Sequence, residues 1–108
     1  MSSPTYGLTL HKTYYEKGFF NLGVSVDKYV RPQSGEVKLF LGPSRRTLIG
    51  RVDREANVNG TPRVHGGPEL RNWFLKNFKM KDRVLVTILA PSEIQIGNQE
   101  GDYDEDTV

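Results

Sequence analysis

Hydrophobic and polar residues alternate over several short stretches of the chain, a pattern typical of β-strands with one buried face. The clearest alternation is in Glu36–Leu41, and Arg83–Ala90 is continuously apolar and rich in β-branched residues. Turn sequences such as Gly42-Pro43-Ser44 separate these stretches. The other strands are predicted at Tyr6–His11, Phe19–Val24, Arg46–Val52, Thr61–His65 and Glu93–Ile96.

Two helices are predicted between the strands. Pro68 and Glu69 begin the longer one, because proline fits the first helical position and an acidic residue suits the first turn. This helix extends to Phe78, and its apolar side chains, with Trp73 and Phe74 among them, share one face. Ser25 is predicted to cap a short helical turn. The mixed order favours a mainly β fold with two helices, a seven-stranded open β-barrel (pseudobarrel).

Composition and charge favour a polyanionic partner. The chain has 108 residues and no cysteine. We expect one domain at residues 6–96, a flexible N-terminus at 1–5 and a disordered acidic tail at 97–108. The tail carries 5 of the 13 acidic residues, so residues 1–96 hold 15 Lys and Arg against 8 acids, a charge of +7. The sequence has no signal peptide pattern and no membrane-spanning run, so a cytoplasmic protein without membrane contact is expected.

Two polar segments contain the side chains best suited to DNA. We call His11–Lys17 the first arm and Arg51–Arg63 the second arm. Arginine and asparagine can bind guanine and adenine edges through two hydrogen bonds each. The predicted DNA-binding residues are His11, Lys12, Thr13, Tyr14, Tyr15, Lys17, Arg51, Arg54, Asn57, Asn59 and Arg63. An alternative for Asn59 is a turn role, because Asn59-Gly60 is a strong hairpin signal.

Phosphate contacts are predicted for further basic residues, which position a protein on DNA without reading its sequence. These are Arg31, Arg45 and Arg46. No catalytic residue, metal ligand or cofactor is predicted. Asp27 with Glu36 and Lys38 is only a weak match to a metal-dependent nuclease site, and the two histidines are not spaced as a ligand pair.

The sequence also resembles a known family. Gly66–Phe78 followed by Lys81–Leu89 is similar to the late helix and strand of the B-three DNA-binding pseudobarrel of plant transcription factors. Effector and target-recognition domains of restriction endonucleases such as EcoRII and BfiI share that fold. Phe19–Val30 resembles the family's second strand and short helix, and residues 36–65 its paired strands. Lys81-Asp82 replaces the family's Gly-Asp, and Trp73 lies further along the helix than the family's tryptophan.

The resemblance implies that the two arms grip the major groove of double-stranded DNA. Ser25 stands where the plant form has proline, so the restriction-enzyme branch is the closer one. A non-catalytic target-recognition or effector domain is therefore expected, either a monomer or part of a larger protein. Two alternatives stay open at this point. One is a single-stranded nucleic-acid binder that stacks bases on Tyr14, Tyr15, Phe19 and Phe20, and the other is a protein-interaction module.

Overall fold

Seven short strands, each with an apolar face, form one curled sheet. The computed structural model describes residues 3–44, 46–58 and 60–97. Its strands are β1 (Thr5–Thr9), β2 (Phe19–Asn21), β3 (Gly35–Leu41), β4 (Arg46–Asp53), β5 (Arg63–His65), β6 (Arg83–Ala90) and β7 (Glu93–Ile96). The order across the sheet is β1-β6-β7-β3-β4-β5-β2, and only β3 and β7 run parallel. The predicted seven-stranded open barrel is confirmed.

The inward side chains of the strands form a single hydrophobic core. In β3 the alternation buries every second residue, Val37, Leu39 and Leu41, while Glu36 and Lys38 stay exposed. The largest fully buried side chains of the core are Phe20, Phe74, Leu10, Leu22, Leu39, Leu41, Leu70, Ile94 and Ile96. Burial of this apolar area is the main source of stability in a chain without disulfides.

The longer helix, α2 (Gly67–Asn77), covers the core. It begins at Gly67, one residue before the predicted start at Pro68, and ends one residue earlier than expected. Leu70 and Phe74 are fully buried, whereas the Trp73 ring is only half-buried and packs on Phe74 and Phe78 at 5.8 and 5.2 Å. Phe74, more than Trp73, therefore fills the core.

The shorter predicted helix differs from expectation in type and in cap. It is a single 3-10 turn at Asp27–Tyr29, and its N-cap is Val26, which provides no side-chain cap bond. Ser25 therefore does not cap it. One 3-10 turn satisfies few backbone groups by itself, and the Arg54 side chain donates to the carbonyl of Asp27 in the turn and to that of Val30, which ends it.

The first arm contains an α-helix that the sequence did not predict. This helix is α1 (Lys12–Lys17). Gly18 ends it in the left-handed conformation (φ 75°), with its N–H bonded to the Tyr14 carbonyl at 3.0 Å. A Cβ atom on residue 18 would collide with the Gly67 carbonyl oxygen, so only glycine allows α1 to pack this closely on α2.

The open edges of the sheet, β1 and β2, are bridged by one side chain. The Tyr6 hydroxyl donates to the main-chain carbonyl of Asn21 at 2.9 Å. Burial raises the pKa of Tyr6, so this hydroxyl stays a hydrogen-bond donor at physiological pH. Tyr6 thus holds the two edges of the curled sheet together.

One departure from the family pattern has a structural explanation. Lys81, which replaces the glycine of the family's Gly-Asp turn, has φ 75°, a left-handed conformation that favours glycine. The turn is held by Lys81 N–H bonding to the Leu10 carbonyl (2.7 Å) and by Asp82, whose carboxylate accepts from the Lys79 N–H (2.8 Å). Lys81 therefore holds a backbone conformation that glycine would adopt without strain.

Some sequence predictions fall outside the described residues. These concern Arg45, Asn59, the first two residues, and residues 98–108 of the tail.

Candidate nucleic-acid interface

Strand alternation exposes a patch of polar and aromatic side chains on β4, β5 and β2. Val52, Val64 and Phe20 point into the core with no exposed surface, so their neighbours point outward. The strand register sets the outward side chains in two rows, which we call the outer face. One row is Arg51, His65 and Phe19, and the other is Asp53, Arg63 and Asn21.

Arg63 is held on the outer face by three contacts. Its guanidinium carbon lies 4.5 Å from the centre of the Phe19 ring, a cation–π geometry. Nε donates to Asn21 Oδ1 at 3.2 Å, and Nη2 donates to Asn57 Oδ1 at 3.3 Å. A guanidinium carries five N–H donors, and these two bonds use two of them. Arg63 is therefore oriented, and its bonds to the described residues leave further N–H donors for an external acceptor.

Asn57 organises the loop of the second arm. Its amide Nδ2 donates to Asn21 Oδ1 and to the Thr61 carbonyl, both at 2.9 Å. The Gly60 N–H donates to the Asn57 carbonyl at 3.1 Å and closes a turn. The return strand begins at Arg63 instead of Thr61. Because both amide hydrogens bind within the protein, Asn57 positions Arg63 and the loop.

The first arm lies at the other end of the outer face. Its predicted site residues His11, Lys12, Thr13 and Lys17 are exposed, while Tyr14 and Tyr15 are half-buried. The Tyr15 hydroxyl donates to the Phe78 carbonyl at 3.2 Å, which fixes α1 against the end of α2. The basic side chains of α1 therefore project from a fixed helix.

A chain of aromatic contacts joins α1 to the outer face. His11 packs on Tyr14 and Tyr14 on Phe19, each with ring centres 5.8 Å apart, and Phe19 packs on His65 at 5.7 Å. Because the Arg63 guanidinium packs on Phe19, this series of contacts connects the two arms across one continuous surface. β2 and β5 pair over three residues each, so the arms lie at opposite ends of a short face.

His65 lies at the centre of this surface, where its surroundings favour the neutral ring. Burial lowers its pKa, the positive charges of Arg63 and Arg51 lower it further, and Asp53 partly opposes them. A phosphate placed near the ring would favour its protonated form. The outer face therefore contains a group whose charge responds to an anionic ligand.

Arg54 and Arg31 bind within the protein. Arg54 donates to three main-chain carbonyls, those of Asp27, Val30 and Arg31, at 2.7 to 2.9 Å. It thus caps the 3-10 turn and anchors the base of the second arm. Arg31 donates to the carbonyls of Gln33 and Glu36 at 2.9 and 3.0 Å. Both were predicted as DNA contacts, and both have a structural role that the sequence did not indicate.

The other predicted cations are spread over the surface. Arg51 is exposed on the outer face. Arg46 forms an ion pair with Glu69 at 3.4 Å, and both side chains of this pair are largely exposed. Such pairs contribute little and exchange readily for another anion. Among the described residues, no three His, Asp or Glu side chains gather as metal ligands.

Sequence reasoning missed three members of the site: Phe19 beneath Arg63, Asn21 as the shared acceptor, and His65 at the centre. Phe19 was considered only as part of a stacking platform with Phe20, whose side chain is fully buried. The alternation of buried and exposed positions could have indicated these residues, because the chain neighbours of the buried Phe20 and Val64 must point outward. Only the strand register shows that these neighbours meet.

Comparison with known proteins gives no assignment. No family model matches the sequence, and no curated protein compared with it is significantly similar. Within the part of the chain that the structure describes, no helix has the length and apolar character needed to cross a membrane.

Proposed function

We propose that this domain binds double-stranded DNA sequence-specifically, with the two arms entering the major groove and Arg63 reading a base. The proposal rests on one observation, the fixed orientation of the Arg63 side chain. Phe19, Asn21 and Asn57 hold its guanidinium on the outer face. A fixed arginine with remaining donors suits guanine, which presents two acceptors in the major groove.

Charge and geometry support a nucleic-acid ligand further. Residues 1–96 carry +7, Arg51 is exposed on the outer face, and Lys12 and Lys17 are exposed on α1, which contacts that face through Tyr14. These side chains are suited to phosphates on either side of a base contact. In this proposal Arg54 and Asn57 position the second arm, and Arg31 and Arg46 are peripheral.

The resemblance to the B-three pseudobarrel supports the same two arms. We therefore propose further that the domain serves a restriction-type system as a target-recognition or effector domain and does not itself cut DNA. The seven-stranded open barrel is the fold that this resemblance implies.

A selection experiment tests the proposal. The full chain is incubated at low salt with a randomised duplex library, and bound DNA is amplified and sequenced over several rounds. We expect enrichment of one short motif, and single strands of that motif should compete poorly. Failure to enrich any duplex would contradict the proposal. Stronger competition by the single strands would favour a single-strand binder instead.

A further inference from the structure

The apex of the second arm presents an apolar side chain that no packing requirement explains. Val58 is fully exposed. The bond from the Gly60 N–H to the Asn57 carbonyl makes Val58 the first corner of the turn, so its side chain projects from the tip of the arm. Apolar residues are depleted in such turns, and a valine that buries nothing does not stabilise the fold.

Hydrogen bonds of the Asn57 side chain hold this apex in place. The Asn57 amide binds Asn21 on β2 and the Thr61 carbonyl on the far side of the turn, and it also accepts from Arg63. Thr61 itself is buried. Val58 is therefore displayed at a defined position relative to Arg63, and the turn does not fold it back onto the protein.

The surface beside Val58 combines apolar and polar groups. An open depression of about 390 Å³ is lined by Asn21, Asn57, Val58 and Thr61. Its size suits the edge of a base. In the major groove the one apolar group on a base edge is the methyl at carbon 5 of thymine, and cytosine carries the same methyl when it is methylated.

We propose that Val58 contacts the 5-methyl group of a pyrimidine, and so selects a methylated pyrimidine at a position next to the base that Arg63 reads. This inference rests on the proposed binding of duplex DNA. It adds to the proposed function a specificity-determining residue, Val58, that recognises a methyl group on the DNA.

The test uses base analogues that differ only by that methyl. The full chain is selected against a randomised duplex library, and the enriched duplex is then synthesised with uracil for each thymine in turn, and with 5-methylcytosine for each cytosine. Dissociation constants are measured by fluorescence anisotropy for the wild type, for Val58→Ala, and for Val24→Ala as matched control. Val24 is 73% exposed and lies outside the arms.

We expect one pyrimidine position at which the methyl strengthens binding by the wild type about fourfold, the effect of one buried methyl group. Val58→Ala should abolish that difference, and Val24→Ala should keep it. A loss of affinity when uracil replaces thymine identifies thymine as the source of the methyl group. A gain in affinity when cytosine is methylated identifies 5-methylcytosine as its source.

Two results overturn the inference and are distinguishable. If a duplex is enriched and the methyl effects are the same in the wild type and Val58→Ala, Val58 does not read the methyl and DNA binding stands. If no duplex is enriched, the proposed function fails together with this inference. Because Val58 is fully exposed, its variant is expected to fold, and a thermal melt checks this.

Discussion

Arg54 and Arg63 both belong to the second arm but are proposed to have different roles, which two alanine variants should separate. Arg54→Ala removes three bonds, of 2.7 to 2.9 Å, to main-chain carbonyls that are partly shielded from water. Hydrogen bonds to a charged donor contribute more than neutral ones, but water replaces part of the loss. We expect a loss of about 2–4 kcal/mol in the free energy of unfolding.

Arg63→Ala removes weaker internal contacts. Its two hydrogen bonds are 3.2 and 3.3 Å long, and its ring contact lies on an accessible surface. Its cost in stability should be no more than about 1 kcal/mol. Its effect on recognition should be larger, because a lost bidentate contact removes about 1–3 kcal/mol of discrimination at one base, or roughly 5- to 150-fold.

The assays are thermal unfolding and binding to an enriched duplex and its single-base variants. For a domain of this size, Arg54→Ala should lower the melting temperature by about 10–20 °C and leave the base preference of the folded protein unchanged. Arg54→Lys is the matched control and should recover part of the stability. The reasoning is refuted if Arg54→Ala relaxes the preference for one base, or if Arg63→Ala weakens all sequences equally.

Three further predictions concern charge and backbone conformation. First, affinity for duplex DNA should rise as pH falls from about 7 to 5.5. The pKa of His65 is lowered in the free protein by burial, Arg63 and Arg51, and a bound phosphate should raise it. His65→Gln should flatten this pH profile in anisotropy titrations, and an unchanged profile would show that His65 does not cause it. The free protein should lose stability over the same range, since the unfolded chain, with a histidine pKa of about 6.5, binds the proton more readily. Second, Lys81→Gly should raise the free energy of unfolding by about 0.5–1 kcal/mol in urea melts, because glycine adopts the left-handed φ of 75° without strain; a destabilised variant would count against strain at this position. Third, Arg51→Ala should weaken binding similarly for all sequences and reduce the slope of log affinity against log salt by about 1; an unchanged slope would show that Arg51 makes no phosphate contact.

The sequence predicts the sheet well because its signals are local. Alternation in β3 and the apolar run of β6 follow directly from which face each residue buries. Pro68 and Glu69 likewise locate the start of α2 through their own conformational and charge preferences. Each of these signals lies within the element that it predicts.

The features that the sequence did not reveal depend on distant partners. The six residues of α1 have no clear helical period, and the helix is fixed by Gly18 against α2 and by the bond from Tyr15 to the Phe78 carbonyl, 63 residues away. Arg54 looked like a base reader because arginine in a polar loop is the usual signal. Its carbonyl partners lie 23 to 27 residues earlier, and only the fold brings them together.

Asn21 connects the closure of the barrel to the orientation of Arg63. Its main-chain carbonyl accepts the Tyr6 hydroxyl that joins the two sheet edges, and its side-chain oxygen accepts from both Asn57 and Arg63. β2, which carries Asn21, has three residues and one strand neighbour. An edge strand this short is not held firmly by its own ladder bonds alone. The Tyr6 bridge therefore fixes β2, whose Asn21 orients Arg63 on β5, and in the proposed function this bridge would contribute to specificity.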